Sequence, residues 1–145
     1  MTMEPVTKRD VVALILYDRE GNILLQHRTK GIAVLPDYWA FFGGGIEAGE
    51  TPADALRRES LEELNYVPQQ PSLLLTKELD VPGANIVGRL DVYVEAFLDD
   101  KSALKLGEGQ GWGWFETEAT RSLKMIEQDR AIISYLKNKY KGAIK

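Results

Sequence analysis

The chain has 145 residues, 44% apolar and 28% charged, a balance that fits one soluble globular domain and excludes disorder along its whole length. Lys and Arg number 18 against 22 Asp and Glu, so the formal net charge is −4 and no chain-wide basic footprint for nucleic acid exists. Cysteine is absent, which excludes disulfides, thiolate zinc sites and a cysteine nucleophile.

Residues 1–10 carry no apolar signal core, and the run at 11–16 is too short to span a bilayer, so a cytoplasmic, single-domain protein over residues 1–145 is expected. That run, Val-Val-Ala-Leu-Ile-Leu, reads as a buried strand. Asp18, Gly21 and Asn22 supply turn chemistry, and residues 23–28 read as the returning strand of a hairpin. A looser stretch covers 29–37, an aromatic strand candidate covers 38–42, and Gly43-Gly44-Gly45 is expected to interrupt regular structure. Helix signals come next: Thr51 as N-cap, Pro52 at the first helical position, Asp54 as the capping-box acid, and Asn65 with Pro68 ending the helix near Leu64. Residues 73–81 and 87–98 read as strands around a turn at 82–85, the second with Leu90, Val92, Val94 and Ala96 on one face. Residues 105–113 read as a glycine-spaced loop, Trp114 and Phe115 open a short element, and 129–140 form an amphipathic helix through Ile132, Ile133, Leu136 and Tyr140. The expected fold class is α/β (α+β), a mixed central sheet between two main helices.

The segment GGGIEAGETPADALRRESLEELNY, residues 43–66, carries the chemistry. On one helix Glu59, Glu62 and Glu63 stand at i, i+3 and i+4, so three carboxylates crowd one face. Like charges repel there, and a hard divalent cation reverses the sign of that cost. A solvated Glu/Arg face with Arg57 and Arg58 as partners is the plain alternative for such a cluster. The segment also resembles the Nudix box, in which G, five residues, E and seven residues precede R-E-U-x-E-E-x-G-U, with U bulky and apolar. Gly44, Glu50, Arg58, Glu59, Glu62 and Glu63 fit, while Ser60 stands at an apolar position and Asn65 replaces a glycine. Six fixed residues at usages of about 6–7% give a chance match of about 10⁻⁷ per start position, or on the order of 10⁻⁵ over the chain.

The resemblance implies the Nudix fold, an α/β/α sandwich, and hydrolysis of a nucleoside diphosphate linked to another group. It implies Mg²⁺, with Mn²⁺ as a substitute, held by Glu59, Glu62, Glu63 and the Gly43 backbone carbonyl. Glu62 is the expected general base, and Arg58 and Glu50 would hold the loop against the helix. A further acidic ligand is expected from the late loop at Glu108, with Gln110 as the weaker candidate. Arg28 resembles a phosphate-contacting arginine, although an exposed strand-end arginine reads equally well. Gly44 and Phe41 join it as substrate-side candidates, although aromatic strand residues such as Trp39, Phe41 and Phe42 are more often core. His27 reads as structural, and residues 122–130 are expected to line the base pocket. The partner is a nucleotide-type small molecule, with neither nucleic acid nor membrane expected. A MutT-like nucleoside triphosphate pyrophosphatase is the leading reading. Pro82, sixteen residues after Tyr66, resembles a feature of ADP-ribose pyrophosphatases, and a non-catalytic nucleotide-sensing module is the non-enzyme alternative.

Overall fold

The structure, a computed structural model, describes residues 5–107 and 109–145. The apolar run at 11–16 is the central strand β2, Val11–Tyr17, in a seven-stranded mixed sheet. It lies parallel to β8, Arg89–Ala96, with Val11 opposite Leu90 and Tyr17 opposite Ala96. On its other side β5, Phe42–Gly45, runs antiparallel along residues 11–14, while β3, Ile23–His27, meets β2 only where the hairpin closes at Tyr17 and Ile23. β3 also pairs with β4, Trp39–Ala40, and with β9, Gly111–Phe115. β6, Ser72–Glu78, borders β8. A two-residue strand that sequence patterning does not announce, β1 at Thr7–Lys8, pairs in parallel with β7, Ile86–Val87.

β2 is apolar throughout because both of its faces are covered, as expected for a strand inside a layered fold. Ala13 and Ile15 point into the core under the C-terminal helix α2, Glu127–Lys139, with Leu90, Val92, Val94, Ile132 and Leu136. Val12, Leu14 and Leu16 point to the opposite face, where Phe42, Ala55, Leu56 and Leu64 pack beneath α1, Pro52–Leu64. The result is the layered α/β arrangement read from the sequence, with two main helices among the described residues. None of those helices is long and apolar enough to cross a membrane.

Two expectations are corrected. Gly43–Gly45 do not interrupt regular structure: they continue β5, paired with Val11, Val12 and Ala13. Glycine is required there by close approach, since a Cβ on Gly43 would stand 2.0 Å from the Val12 carbonyl oxygen. The strand expected at 87–98 is split at Gly88, where a Cβ would lie 2.0 Å from the Arg9 carbonyl oxygen, so the Arg9–Asp10 link between β1 and β2 passes close to that residue.

Candidate active site

The N-terminus of α1 forms as its sequence dictates. Thr51 Oγ1 accepts from Asp54 N and Asp54 Oδ2 accepts from Thr51 N, each at 3.1 Å, so two otherwise orphaned donors are satisfied. At the other end Asn65 takes the left-handed conformation, φ 54°, and donates its N–H to the Leu61 carbonyl. Ser60 is 2% exposed, so its small side chain sits on the buried face of the helix.

This frame delivers the acidic residues to the glycine strand. Glu63 is 1% exposed, and its Oε1 accepts from Gly43 N at 2.9 Å. Glu59 lies against Gly44 so closely that a Cβ on that glycine would come within 2.5 Å of the carboxylate. Arg58 ties the helix to the preceding loop. Its Nε and Nη2 donate to the two oxygens of Glu50 at 2.8 Å each, Nη2 also reaches Gly45 O at 3.0 Å, and Nη1 donates to Glu59 Oε1 at 2.8 Å. The Arg58 guanidinium, helped by the Glu47 N–H, holds the Glu50 carboxyl down at about 2. Glu50 and Glu59 in turn raise Arg58 above the ordinary arginine range. Glu62 is turned outward, its side chain 54% exposed, with Arg58 Nη1 3.7 Å away.

Among the described residues, no three acidic or imidazole groups converge as they stand to hold a metal ion. Glu59 is engaged by Arg58 and Glu63 by Gly43 N–H, while Glu62 stands apart from both. The donor chemistry nonetheless fits a hard divalent cation, because Glu59 and Glu63 lie against the Gly43–Gly44 backbone and Glu62 follows on the same stretch of α1. Glu108, the expected ligand from the late loop, lies outside the described residues. Its neighbour Gly107 donates N–H to Glu63 O at 2.7 Å, so that loop runs along the end of α1.

Beside the glycines a cavity of about 440 Å³ opens on the α2 side of the sheet. Arg28 and Phe41 both line it. The Arg28 guanidinium donates to Val34 O at 2.9 Å and Leu35 O at 3.2 Å, so it braces the 29–37 loop as well as facing the cavity. Phe41 is buried and packs into the core beneath α2 as well as lining the cavity wall. From the 122–130 stretch, Ile126, Gln128 and Asp129 reach the same cavity. Asp129 is 6% exposed, and burial lifts its carboxyl to about 6, against the pull of Gln128, Lys77 and Arg28. Sequence reading did not single out Asp129, because an acid in the first turn of a helix is ordinary at an exposed position.

His27 is held by its neighbours. Its ring stacks on Trp39 at 4.6 Å and 4°, with Nε2 2.9 Å from Asp37 Oδ1. Gln110 does not face the carboxylate helix. Its Nε2 donates to Asp37 Oδ1 at 2.9 Å and Arg28 O at 2.7 Å, which clasps the late loop to the 29–37 loop. Leu35 and Asp37 take positive φ, 48° and 64°, so this clasp holds backbone that non-glycine residues rarely adopt.

A model of the NUDIX domain family matches residues 7–136. Over 63 residues the chain is 41% identical to the RNA pyrophosphohydrolase of Psychrobacter sp. (strain PRwf-1), covering 43% of this chain and 34% of that protein. It is 44% identical over 57 residues to the nucleoside triphosphatase NudI of Enterobacter sp. (strain 638), covering 39% of this chain and 40% of that protein. These alignments therefore span about a third to two fifths of the curated relatives. The MutT protein from Methanosarcina mazei Go1 superposes with a TM-score of 0.78 at 16% identity, covering 96% of this chain and 99% of that one, a likeness of fold.

Proposed function

The chain belongs to the Nudix family, and from that premise we propose that it is a divalent-metal-dependent hydrolase of pyrophosphate linkages acting on a nucleoside triphosphate, in the MutT-like manner. The observation that carries this reading is the pairing of a three-carboxylate helix face with a Cβ-free glycine strand at the edge of a cavity large enough for a nucleoside.

Attack of water on a diphosphate is slow because the electrophile is anionic and the leaving group carries charge away. Glu59, Glu62, Glu63 and the Gly43 backbone would hold Mg²⁺ or Mn²⁺, which would supply neutralisation of phosphate oxygens and acidification of water. Glu62 is the most exposed of the three carboxylates, which suits a group that would accept the proton of the attacking water. Arg58 and Glu50 keep the Gly45 carbonyl and the glycine strand fixed against the helix. Arg28 contributes positive charge to the phosphate end of the cavity, and Gln128 and Asp129 offer hydrogen bonds at its inner wall. The name of the Enterobacter relative supports a nucleoside triphosphate over other linked diphosphates.

The reading is tested by product analysis across canonical and oxidised nucleoside triphosphates, ADP-ribose, nucleotide sugars and dinucleoside polyphosphates. Pyrophosphate and a nucleoside monophosphate as the products of a preferred triphosphate support it. Preferred cleavage of ADP-ribose would replace the triphosphate reading. Thermal shifts by these nucleotides without turnover of any would point to a sensing module.

A further inference from the structure

Arg9 stands between β1 and β2, and its exposed side chain reaches over the glycine strand. A Cβ on Gly45 would come within 2.3 Å of Arg9 Nε, 2.6 Å of Nη2 and 2.7 Å of Cζ, so the guanidinium lies against the bare Cα of that glycine. The contact is on the cavity side of β5. Successive residues of a strand face opposite ways, and a Cβ on Gly44 would point at Glu59 of α1, so one on Gly45 points away from that helix. Arg9 and Gly45 accordingly both line the 440 Å³ cavity. The backbone of Arg9 is fixed from the other side, its N–H donating to Val87 O at 2.8 Å.

Among the described residues, Arg9 and Arg28 are the two cations that line this cavity, and their donors are engaged differently. Arg28 directs Nε and Nη2 at the Leu35 and Val34 carbonyls, and its charge acts on the buried Asp129 carboxyl. Elsewhere Arg58, Arg89, Arg121 and Arg130 pair with Glu50, Asp91, Glu118 and Glu127, whereas Arg9 has no carboxylate or hydrogen-bond partner for its guanidinium among the described residues. Its N–H fork therefore remains open, and that fork matches the oxygens of a phosphate two at a time. Gly45 itself is not held to glycine by its backbone, since its φ lies outside the left-handed region that its neighbour Gly43 occupies. What glycine provides at 45 is room for the Arg9 guanidinium, which any side chain there would displace. Gly43, whose N–H meets Glu63, is two positions back along β5, about 7 Å at 3.3 Å per residue, a distance that a triphosphate spans.

We propose that Arg9, seated on Gly45 at the exposed mouth of the cavity, binds the terminal phosphates of the nucleoside triphosphate. The assignment rests on the triphosphate reading above and extends it to a residue outside the carboxylate helix. The base end of the substrate is directed to the buried wall at Gln128 and Asp129, and the far end of the phosphate chain emerges over the glycine strand, where Arg9 meets it. Arg9 acts there by binding, so its loss raises KM and leaves kcat nearly unchanged.

The test is calorimetric titration of the full chain with inorganic tripolyphosphate in the presence of Mg²⁺, a probe that carries the phosphate chain and no base. Arg9→Gln is expected to weaken binding by about tenfold, and Arg9→Lys by about threefold, because a point charge remains without the fork. Gly45→Ala keeps the charge but displaces the guanidinium, and should also cost about threefold, with the Arg9→Gln/Gly45→Ala double variant no weaker than Arg9→Gln alone. Arg19→Gln, which removes the same charge beyond the far end of β2, should change nothing. In turnover of the nucleoside triphosphate that the parent cleaves fastest, Arg9→Gln should raise KM about tenfold and hold kcat within about threefold. Binding of tripolyphosphate through Arg9 by a chain that cleaves no nucleotide would defeat the triphosphate reading while leaving Arg9 a polyphosphate ligand. Turnover by the parent with affinity and KM unchanged in Arg9→Gln would do the reverse. Failure of the parent to bind tripolyphosphate, an equal loss in Arg19→Gln, or a further loss in the double variant would each overturn the proposal.

Discussion

Gly44→Ala separates the catalytic demand on the glycine strand from the structural one. Gly44 adopts a backbone conformation open to alanine, and the atoms a Cβ would meet are the Glu59 carboxylate carbon and Oε1 at 2.5 Å and Oε2 at 2.8 Å. Ordinary contact begins near 3.4 Å, so the carboxylate must retreat by about 0.9 Å. It is the far end of a flexible side chain, so the sheet need not part. The movement strains the 2.8 Å bond from Arg58 Nη1, a loss of about 1 kcal/mol, partly offset by the lower entropy of the unfolded chain with alanine. At about 3 °C per kcal/mol for a chain of this length, the melting temperature should fall by no more than about 3 °C. Activity should fall much further, since displacement of a catalytic group by about 1 Å costs on the order of 10²-fold. The assay is pyrophosphate release at saturating substrate and metal, beside thermal unfolding of the same preparation. A Gly44→Ala protein with near-normal kcat would mean that Glu59 is not needed where the structure holds it, and the site assignment would be wrong.

Gly43→Ala should act oppositely, on stability first. Its Cβ meets the Val12 carbonyl oxygen at 2.0 Å and Ala13 Cα at 2.8 Å, both in the paired strand backbone, and its φ is +146°. A loss of about 3 kcal/mol or more is expected, read as a drop of about 10 °C in thermal unfolding. Glu50, held at about 2 in the fold, gives stability that is complete above its unfolded value near 4.3 and is lost as pH falls through about 2. Denaturant unfolding between pH 2 and 5 should therefore show a smaller acid loss in Glu50→Gln than in the parent. Asp129 has the reverse sign. Its carboxyl is raised to about 6, so the fold keeps a proton that the unfolded chain has already released, and stability falls as pH rises from about 4 to about 6. That fall amounts to roughly 2–3 kcal/mol, and urea unfolding across this range should show it in the parent but not in Asp129→Asn.

The carboxylate helix was legible because its signals are local. Thr51, Pro52, Asp54 and Asn65 act through bonds to residues three or four positions away, and spacing alone fixes Glu59, Glu62 and Glu63 on one face. Gly43–Gly45 were misread because glycine's weak strand propensity is a local quantity, whereas their place in β5 is decided by two distant partners: the Val12 backbone and the Glu59 carboxylate. Residue patterning likewise missed the β1–β7 pairing, which joins chain segments about eighty residues apart through two residues each. Asp129 was not singled out within the 122–130 stretch, and Gln110 was read as a weaker candidate ligand, for the same reason. Neither sequence neighbourhood reveals that one is buried at the cavity wall or that the other reaches across to Asp37 and the Arg28 carbonyl.

The central claim, that the carboxylates of α1 work through a divalent cation, is tested most directly by turnover of the preferred nucleoside triphosphate as Mg²⁺ is titrated, for the parent and for Glu62→Gln. The account predicts no turnover in EDTA, recovery in the millimolar range of metal, and a kcat for Glu62→Gln lower by about 10²-fold or more at every metal concentration. Full turnover in EDTA, or a Glu62→Gln protein as fast as its parent, would contradict it.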